Sequence, residues 1–408
     1  MSVYGLLGEK LSHSFSPQIH ACLGDYDYRL FQIKPEDVHA FLARREFDGI
    51  NVTIPYKKTV IPYCAELSDR AKRIGSVNTI LRRADGSLRG CNTDYDGFET
   101  LLQKIGYDPA GKKAVILGSG GSSATVKAVL HDRGAGEIAV VSRTGENNYQ
   151  NLHLHRNAAL IVNTTPVGMY PGNGASPISL DDFPACEAVI DIIYNPAVTR
   201  LLWDARVKGI PHINGLPMLV SQAKSAAELF TGKRTDNSLI DEITSRILRQ
   251  TRNILLIGMP SSGKSTVGAA LARMTGRIFL DTDTLIEKKA GRTIPELIEH
   301  DGEAAFRTLE TEMLAEVSRQ SGAVIAMGGG IVTIPANLPL VRQNSVCVFL
   351  NRDIGKLSAG GRPLSLRYGT EALFEARLPL YRAWCEHEID NSGSIKQTAE
   401  AVKEALGL

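Results

Sequence analysis

The chain has 408 residues, enough for two or three domains that each bury a core of their own. Its 46 Lys and Arg residues nearly balance its 44 Asp and Glu residues, and without a basic run the net charge of +2 gives no reason to expect a nucleic-acid partner. The N-terminus does not resemble a signal peptide, no segment approaches the ~18–20 continuous apolar residues of a membrane helix, and the cysteines and histidines form no zinc-binding pattern, so we expect a cytoplasmic protein with reduced thiols and no membrane contact.

Short β-branched runs alternate with longer amphipathic stretches, the pattern of α/β domains with mostly parallel sheets. Strands are predicted at residues 3–7, 28–33, 49–53, 79–82, 114–117, 138–141, 160–163 and 188–192. Helices are predicted from Asp94 toward Gly106 and at residues 214–232 and 238–250. Near Thr251 the pattern restarts with a strand, and we place a domain boundary there.

Polar motifs stand at the ends of the predicted strands in the first third of the chain, within residues 12–17, 51–57, 76–79 and 92–94. Their small hydroxyls and amides predict a pocket for a polyhydroxylated ligand. Lys57 and Asp94 are the complementary proton-handling groups of these segments, and hydride transfer to a ketone needs a proton for the forming alkoxide. The alternative is an ordinary surface ion pair.

A glycine-rich turn, Gly118-Ser119-Gly120-Gly121-Ser122-Ser123, follows the apolar run 114–117 and predicts a dinucleotide site, although it departs from Gly-x-Gly-x-x-Gly. The next predicted strand leads to Ser142-Arg143-Thr144, where an NAD-binding fold would place an acidic residue. Arg143 suits a 2′-phosphate instead and favours NADP(H). A surface arginine is the alternative.

A complete P-loop, Gly258-Met259-Pro260-Ser261-Ser262-Gly263-Lys264-Ser265, follows the apolar run 254–257 and precedes an amphipathic helix predicted at 264–274. Its backbone N–H groups wrap the β-phosphate, Lys264 reaches the β/γ oxygens, and the Ser265 hydroxyl ligates Mg²⁺. Nucleotide binding is therefore expected.

The residues after the P-loop predict a pocket for a small anion. Asp281 and Asp283 end a short predicted strand, and in an extended segment they would point the same way, one near Mg²⁺ and the other accepting a hydroxyl. Arg307, Arg362 and Arg377 accompany the triglycine turn at 328–330, which allows a close backbone approach. Taken singly, each arginine is more often a solvated surface residue.

Residues 252–408 resemble shikimate kinases through Gly-x-x-x-x-Gly-Lys-Ser-Thr, Asp-x-Asp, Phe-Arg, Gly-Gly-Gly, Arg-Pro-Leu and Arg-x-Pro-x-Tyr. The resemblance implies that Asp283 holds the sugar hydroxyls, while Arg362 comes from a lid that is short for the family. Asp283 could also accept the proton of the attacking hydroxyl, and Lys264 is the second catalytic residue, which stabilises the transferring phosphoryl group. It also implies substrate contacts from Asp283, Arg307, Gly329, Gly330 and Arg377. Contacts to ATP would come from Gly258, Ser261, Ser262, Gly263, Lys264, Ser265, Thr266 and Arg362, and Mg²⁺ ligands from Ser265 and Asp281.

Residues 1 to about 245 resemble shikimate dehydrogenases through Ser-x-Ser-x-Pro, Asn-Val-Thr-x-Pro-x-Lys, Val-Asn-Thr and Asn-Thr-Asp, and through related motifs at 163–169, 191–196 and 215–223. The resemblance implies that Lys57 and Asp94 are catalytic. Substrate contacts would come from Ser14, Ser16, Thr53, Asn78, Tyr194 and Gln222. NADP(H) contacts would come from Gly118, Ser119, Gly120, Gly121, Ser122, Arg143, Thr144 and Met169.

One departure concerns the cofactor domain, because only about 20 residues separate Arg143 from Asn163, where the family has roughly twice that length. We therefore expect an α/β chain with three parts: a substrate and catalytic domain at 1–95 and 214–250, a shortened Rossmann-like NADP-binding domain at 96–213, and a P-loop kinase domain with a parallel five-stranded sheet at 252–408.

The two resemblances together imply a bifunctional enzyme of chorismate and aromatic amino acid biosynthesis, with NADP(H) and Mg²⁺-ATP as cofactors. It would reduce 3-dehydroshikimate to shikimate and phosphorylate shikimate, and these small molecules would be its partners. The protein would be a monomer or a homodimer. A kinase fused to a degenerate dehydrogenase-like module, or a non-catalytic nucleotide-gated regulator, are the alternatives. The use of quinate as a substrate stays open.

Overall fold

The computed structural model describes residues 2–11, 14–357 and 368–408. The chain divides into two compact units. The first comprises Met1–Met169, Ala175–Tyr194 and Asp204–Ser245, and the second comprises Tyr170–Gly174, Asn195–Trp203 and Arg246–Leu408. The three-domain division expected from the sequence stays a prediction. Across the described residues, no helix combines the length and the apolar character needed to cross a membrane.

The first sheet has six strands in the order β2-β1-β3-β5-β6-β4. They are β1 Val3–Gly8, β2 Asp27–Gln32, β3 Gly49–Val52, β4 Glu66–Leu67, β5 Thr79–Arg82 and β6 Leu88–Cys91, with helices α1 Ser16–Leu23, α2 Val38–Arg44 and α3 Asp69–Ile74. β1 is parallel to β2 and β3, whereas β5 is antiparallel to β3 and β6. The ends of β1, β3 and β6 and the start of β5 therefore meet at one edge, where the polar motifs lie.

The second sheet is parallel throughout, in the order β11-β10-β9-β7-β8. Its strands are β7 Lys113–Leu117, β8 Glu137–Val141, β9 Leu160–Asn163, β10 Ala188–Asp191 and β11 His212–Asn214. The helices of this part of the chain are α4 Asp94–Lys104, α5 Gly121–Asp132, α6 Arg200–Val207, α7 Leu216–Thr231 and α8 Ser238–Thr251.

The crossover between β8 and β9 is short. Residues 142–159, all of which the structure describes, contain a single 3₁₀ turn at Leu152–His155. In the usual dinucleotide-binding order, 3-2-1-4-5-6, strand 2 lies between strand 1 and strand 3. Here β7 corresponds to strand 1 and β8 to strand 2, and β8 is the edge strand of the sheet because no strand 3 follows it.

The third sheet is also parallel, in the order β13-β14-β12-β15-β16. Its strands are β12 Asn253–Ile257, β13 Phe279–Asp281, β14 Val324–Ala326, β15 Ser345–Asn351 and β16 His387–Asp390. Its helices are α9 Lys264–Thr275, α10 Thr282–Ala290, α11 Ile294–Val317 with a kink at Gly302, α12 Leu338–Arg342, α13 Thr370–Trp384 and α14 Ile395–Ala405. The predicted α/β class with a parallel five-stranded sheet in the C-terminal part is confirmed.

The expectation that Asp281 and Asp283 share one face of an extended segment is wrong. β13 ends at Asp281 and α10 begins at the next residue, so Asp283 lies in the first turn of a helix. The Asp281 carboxylate caps this helix by accepting hydrogen bonds from the backbone N–H groups of Asp283 (3.0 Å) and Thr284 (3.4 Å). The first N–H groups of a helix have no partner within it, and an aspartate at this position satisfies them.

Candidate active sites

Lys57 and Asp94 form a close and largely buried ion pair. Lys57 follows β3, and Asp94 is the first residue of α4. Lys57 Nζ lies 2.6 Å from Asp94 Oδ2, and the two side chains are 16% and 8% exposed. The pair is thus not an ordinary surface ion pair, and the carboxylate stabilises an ammonium that has little water around it. A lysine held this way can deliver a proton to an oxygen placed beside Nζ.

Amides and hydroxyls adjoin this pair. Asn78 Oδ1 accepts a hydrogen bond from the backbone N–H of Thr93 (2.7 Å), the residue before Asp94. Asn78 Nδ2 donates to Thr93 Oγ1 (3.0 Å) and to Gln222 Oε1 on α7 (3.4 Å). The structure therefore brings together Asn78, Gln222 and the start of α4, which the sequence places far apart.

The serine motif begins α1. Ser14 Oγ accepts a hydrogen bond from the backbone N–H of Ser16 (3.2 Å), and Ser16 is 4% exposed. The ring of Phe15 packs against Tyr194, with centroids 5.6 Å apart, and burial raises the pKa of Tyr194. Thr53 follows directly after β3 at the same sheet edge. Ser12 and His13 of this motif lie outside the described residues.

The glycine-rich turn after β7 leaves room for an anion. Gly118 has a φ of 103°, and a Cβ there would lie 2.8 Å from Thr164 Oγ1, so only glycine fits. Gly120 precedes α5 without a side-chain cap, and among the described residues only its two chain neighbours come within 4 Å of the Cβ position there. The uncapped N–H groups of α5 suit a pyrophosphate.

This turn also lies against the proton-handling pair. A Cβ on Gly121 would be 3.5 Å from Ser76 Oγ and 3.9 Å from Lys57 Cδ. A dinucleotide bound on the turn would thus extend beside Lys57. Arg143 and Thr144 follow the end of β8 and are exposed, as is Met169 at 44%.

The P-loop connects β12 to α9, with positive φ angles at Gly258 (149°), Ser261 (63°) and Gly263 (92°). Lys264 is 9% exposed and its Nζ donates to the carbonyl oxygens of Gly258 (3.0 Å) and Met259 (2.8 Å). Thr266 Oγ1 donates to the carbonyl of Gly263 (2.9 Å). The Lys264 ammonium is thus held against the carbonyl oxygens at the start of the loop.

A hydroxyl from the start of α9 and a carboxylate from the end of β13 supply oxygen ligands beside this loop. Ser265 Oγ donates to Asp281 Oδ2 at 2.6 Å, so the two predicted Mg²⁺ ligands lie together. A hydroxyl and a carboxylate are hard oxygen donors and fit Mg²⁺. Arg362, which was assigned to the lid, lies outside the described residues.

The predicted anion pocket assembles around the triglycine turn after β14. A Cβ on Gly330 would overlap the Arg307 guanidinium, and one on Gly328 would lie 2.9 Å from Asp283 Oδ1. Arg377 on α13 is 5% exposed, and Tyr381, one turn later, donates a 2.5 Å hydrogen bond to the Gly329 carbonyl. Arg307, Asp283 and the carboxylate of Glu310 therefore lie around a turn without side chains, and buried Arg377 lies on the helix whose Tyr381 binds that turn.

Two acidic partners of Arg307 were not foreseen from the sequence. Arg307 pairs with Glu310 and, at 3.1 Å, with Glu303. Burial raises the pKa of the Glu310 carboxyl, while the guanidinium of Arg307 opposes the rise. Positions three and four residues from an arginine on a helix are its natural ion-pair partners, so this spacing could have revealed both.

Comparisons with known proteins identify both parts of the chain. Residues 6–80 match the family model of the shikimate dehydrogenase substrate binding domain, and residues 260–407 match that of shikimate kinase. A shikimate dehydrogenase (NADP(+)) from Moorella thermoacetica is 36% identical over 289 residues, which cover 64% of this chain and 96% of the relative. The chain belongs to the shikimate dehydrogenase family. Both resemblances drawn from the motifs are confirmed.

Solved structures of shikimate dehydrogenases match the same part of the chain. A chorismate mutase/shikimate 5-dehydrogenase fusion protein from Clostridium acetobutylicum is 37% identical, with a TM-score of 0.57, over 60% of this chain and 97% of that one. Shikimate 5-dehydrogenase from Thermus thermophilus, solved in complex with NADP(H) and shikimate, is 34% identical, with a TM-score of 0.55, over 60% and 99%. The shikimate dehydrogenase fold thus extends over about three fifths of the chain, and the shikimate kinase match follows it.

Proposed function

We propose that the chain is a bifunctional enzyme that reduces 3-dehydroshikimate to shikimate with NADPH and phosphorylates shikimate at its 3-hydroxyl with Mg²⁺-ATP. The observation that carries the first activity is the buried Lys57–Asp94 pair beside the glycine-rich turn. The second activity is supported by the convergence of Asp283, Arg307 and Arg377 next to a complete P-loop. The relatives' named activities and the match to shikimate kinase support the same substrates.

In the reductase, the chain's own residues bind the substrate and supply a proton. Hydroxyl and amide groups of Ser16, Asn78 and Gln222 would hold the hydroxyls and the carboxylate. Lys57 Nζ donates its proton to the carbonyl oxygen as that oxygen becomes an alkoxide, and Asp94 stabilises and orients the ammonium. NADPH, held by Gly118–Ser122 and Arg143, supplies the hydride.

In the kinase, the chain's residues position the substrate and stabilise the negative charge of the phosphoryl group. Arg307 and Arg377 would bind the shikimate carboxylate through paired N–H groups. Asp283 then accepts the proton of the attacking 3-hydroxyl. Lys264 and the N–H groups of the P-loop stabilise the charge on the transferring phosphoryl group, while Ser265 and Asp281 would hold the Mg²⁺ that neutralises the phosphate oxygens.

The short crossover after β8 favours one alternative, a kinase fused to a dehydrogenase-like module that binds shikimate without transferring hydride. Such a module would keep Lys57 and Asn78 but would hold the cofactor poorly, since the segment between β8 and β9 carries only a 3₁₀ turn. The two functions differ in one measurable property, NADP⁺ reduction.

The test measures both activities on the purified full-length chain. Shikimate-dependent reduction of NADP⁺ is followed with NAD⁺ and quinate in parallel, and ADP formation is followed with shikimate and Mg²⁺-ATP. Lys57→Ala should lower dehydrogenase turnover by about 10²–10⁴-fold, the range for loss of a general acid, and leave the kinase rate unchanged. Lys264→Ala should do the reverse. Lys58→Ala, a change at the adjacent exposed lysine, is the matched control.

The outcomes separate the candidates. Turnover with NADP⁺ that is lost in Lys57→Ala and kept in Lys58→Ala supports the bifunctional enzyme. Kinase activity without turnover on any cofactor and substrate pair favours the degenerate module. A folded single variant that loses both activities contradicts two independent sites.

A further inference from the structure

A chain of hydrogen bonds runs beneath the dehydrogenase site and begins at a tyrosine that belongs to none of the motifs. Tyr28 lies on the edge strand β2, in register with Tyr4 on β1. Its hydroxyl donates to Asn51 Oδ1 on β3 at 2.8 Å. Asn51 is 3% exposed, so its side chain depends on protein partners rather than on water.

The chain continues to the amide that adjoins the catalytic pair. Asn51 Nδ2 donates to Thr79 Oγ1 (3.2 Å), and Thr79 Oγ1 donates to Asn78 Oδ1 (3.2 Å). Asn51, Thr79 and Asn78 are all buried. The orientation of the Asn78 amide, which also contacts Gln222, is thereby linked to the hydroxyl of Tyr28.

The ring of the same tyrosine packs against the helix that carries the serine motif. The ring of Tyr28 stacks on His20 at a centroid distance of 3.8 Å and an interplanar angle of 12°. His20 is one turn after Ser16 on α1, which fixes the ring against the helix that presents the serine.

We infer that Tyr28 is a positioning residue of the dehydrogenase site. Its hydroxyl holds the hydrogen-bonded side chains of Asn51, Thr79 and Asn78 in the geometry that binds a hydroxylated carboxylate. The inference rests on the proposed dehydrogenase function. Tyr28 acts through Asn78 and does not itself need to touch the substrate. Its removal should weaken binding of shikimate more than it slows the chemical step.

Tyr28→Phe removes the hydroxyl and keeps the stacked ring. The KM for shikimate in NADP⁺ reduction should rise roughly three- to tenfold, the effect of losing one hydrogen bond to a buried group, with kcat and the KM for NADP⁺ changed less than about twofold. Tyr4→Phe is the matched control, because Tyr4 lies next to Tyr28 in the same sheet. Its hydroxyl donates to the Phe230 carbonyl (2.9 Å) and takes no part in the hydrogen bonds from Tyr28 to Asn78. A merely structural tyrosine would give the two variants the same kinetics.

A double-mutant cycle tests the path of the effect. If Tyr28 acts through Asn78, Asn78→Ala with Tyr28→Phe should raise the KM less than the product of the two single effects. Fully multiplicative effects, or an unchanged KM in a folded Tyr28→Phe, overturn the inference. Melting temperature and the kinase rate of the same samples report folding.

A binding measurement separates this inference from the proposed reaction. Shikimate is titrated by calorimetry into the chain carrying Arg377→Ala, which weakens the kinase site, with and without Tyr28→Phe. Weaker binding with Tyr28→Phe supports the inference even if no NADP⁺ is reduced, in which case only the proposed reaction fails. Equal affinities overturn the inference while leaving an active dehydrogenase in place. If shikimate binds neither variant, both the inference and the proposed dehydrogenase reaction are overturned.

Discussion

Gly330 in the kinase site offers a sharp test of the anion pocket, because the Arg307 guanidinium occupies the space that a side chain at position 330 would need. Its backbone, at φ −95° and ψ −3°, is allowed for alanine, so Gly330→Ala introduces no backbone strain. The added Cβ would overlap Nη1, Nη2 and Cζ of Arg307, closer than the 3.0 Å that real Cβ contacts respect. The guanidinium lies at the end of a flexible side chain and must move away.

The size of the effect follows from what the guanidinium loses. A charge-assisted hydrogen bond contributes about 1.5–3 kcal/mol, and a misplacement of about 1 Å can cost about 100-fold in rate. We expect kcat/KM for shikimate to fall by about 10- to 100-fold, since about 1.4 kcal/mol is one factor of ten. The KM for ATP and the NADP⁺-dependent activity should not change.

The assay is ADP release at varied shikimate and at varied ATP, with melting temperature as the check on folding. Gly355→Ala is the control, because a Cβ there meets Asp353 Oδ1 at an ordinary 3.5 Å. Arg307→Ala with Gly330→Ala should be no worse than Arg307→Ala alone. A folded Gly330→Ala with wild-type kinetics for shikimate would refute the assignment of Arg307 to the pocket.

Three further changes test the surroundings of the two sites. Glu310→Gln removes the buried charge that holds Arg307, so the KM for shikimate in the kinase assay should rise at least about tenfold, and an unchanged KM would contradict this role. Asp281→Asn keeps a helix-capping side chain but removes the charge beside Ser265, so half-saturation of the kinase should need more Mg²⁺ while the melting temperature stays the same; unaltered Mg²⁺ dependence would speak against the ligand. Burial raises the pKa of the Glu228 carboxyl, but hydrogen bonds from Lys224 and the Thr235 N–H bring it below its ordinary 4.5. The charged carboxylate therefore stabilises the folded protein above pH 4.5. This contribution is lost as the pH falls through the folded pKa. The difference in unfolding free energy between wild type and Glu228→Gln, measured in urea, should therefore shrink as the pH falls below 4.5, and a constant difference would show that the charge is not involved.

Where a strand is buried on both faces, its own sequence was sufficient to predict it. β9 and the strand before the P-loop are apolar except for one asparagine at an end of each, because parallel strands covered by helices on both faces are mostly hydrophobic. β4 has only two residues, Glu66 and Leu67, and exists because it pairs with β6. Nothing in those two residues could have predicted it.

Contacts were predicted where each residue belongs to a recognisable motif, and missed where one of them does not. The P-loop and the proximity of Lys57 to Asp94 follow from motifs at strand ends. The contact of Tyr28 with Asn51 depends instead on the register of β2 and β3 against β1, which no local pattern specifies. The Asp281–Asp283 interpretation failed because Asp281 both ends β13 and caps α10, so the extended segment stops before Asp283.

The short crossover after β8 also has a consequence for solubility. An edge strand presents backbone groups that can pair with another molecule. In this chain the residues after β8 fold back into a polar turn, in which Ser142 bridges to Asn148 and its N–H binds the Asn147 carbonyl (3.1 Å), while Glu137 places a charge at the start of the strand. The turn and this charge thus partly protect the edge of β8, which no outer strand covers. We expect deletions within residues 145–151 to make the protein self-associate through β8.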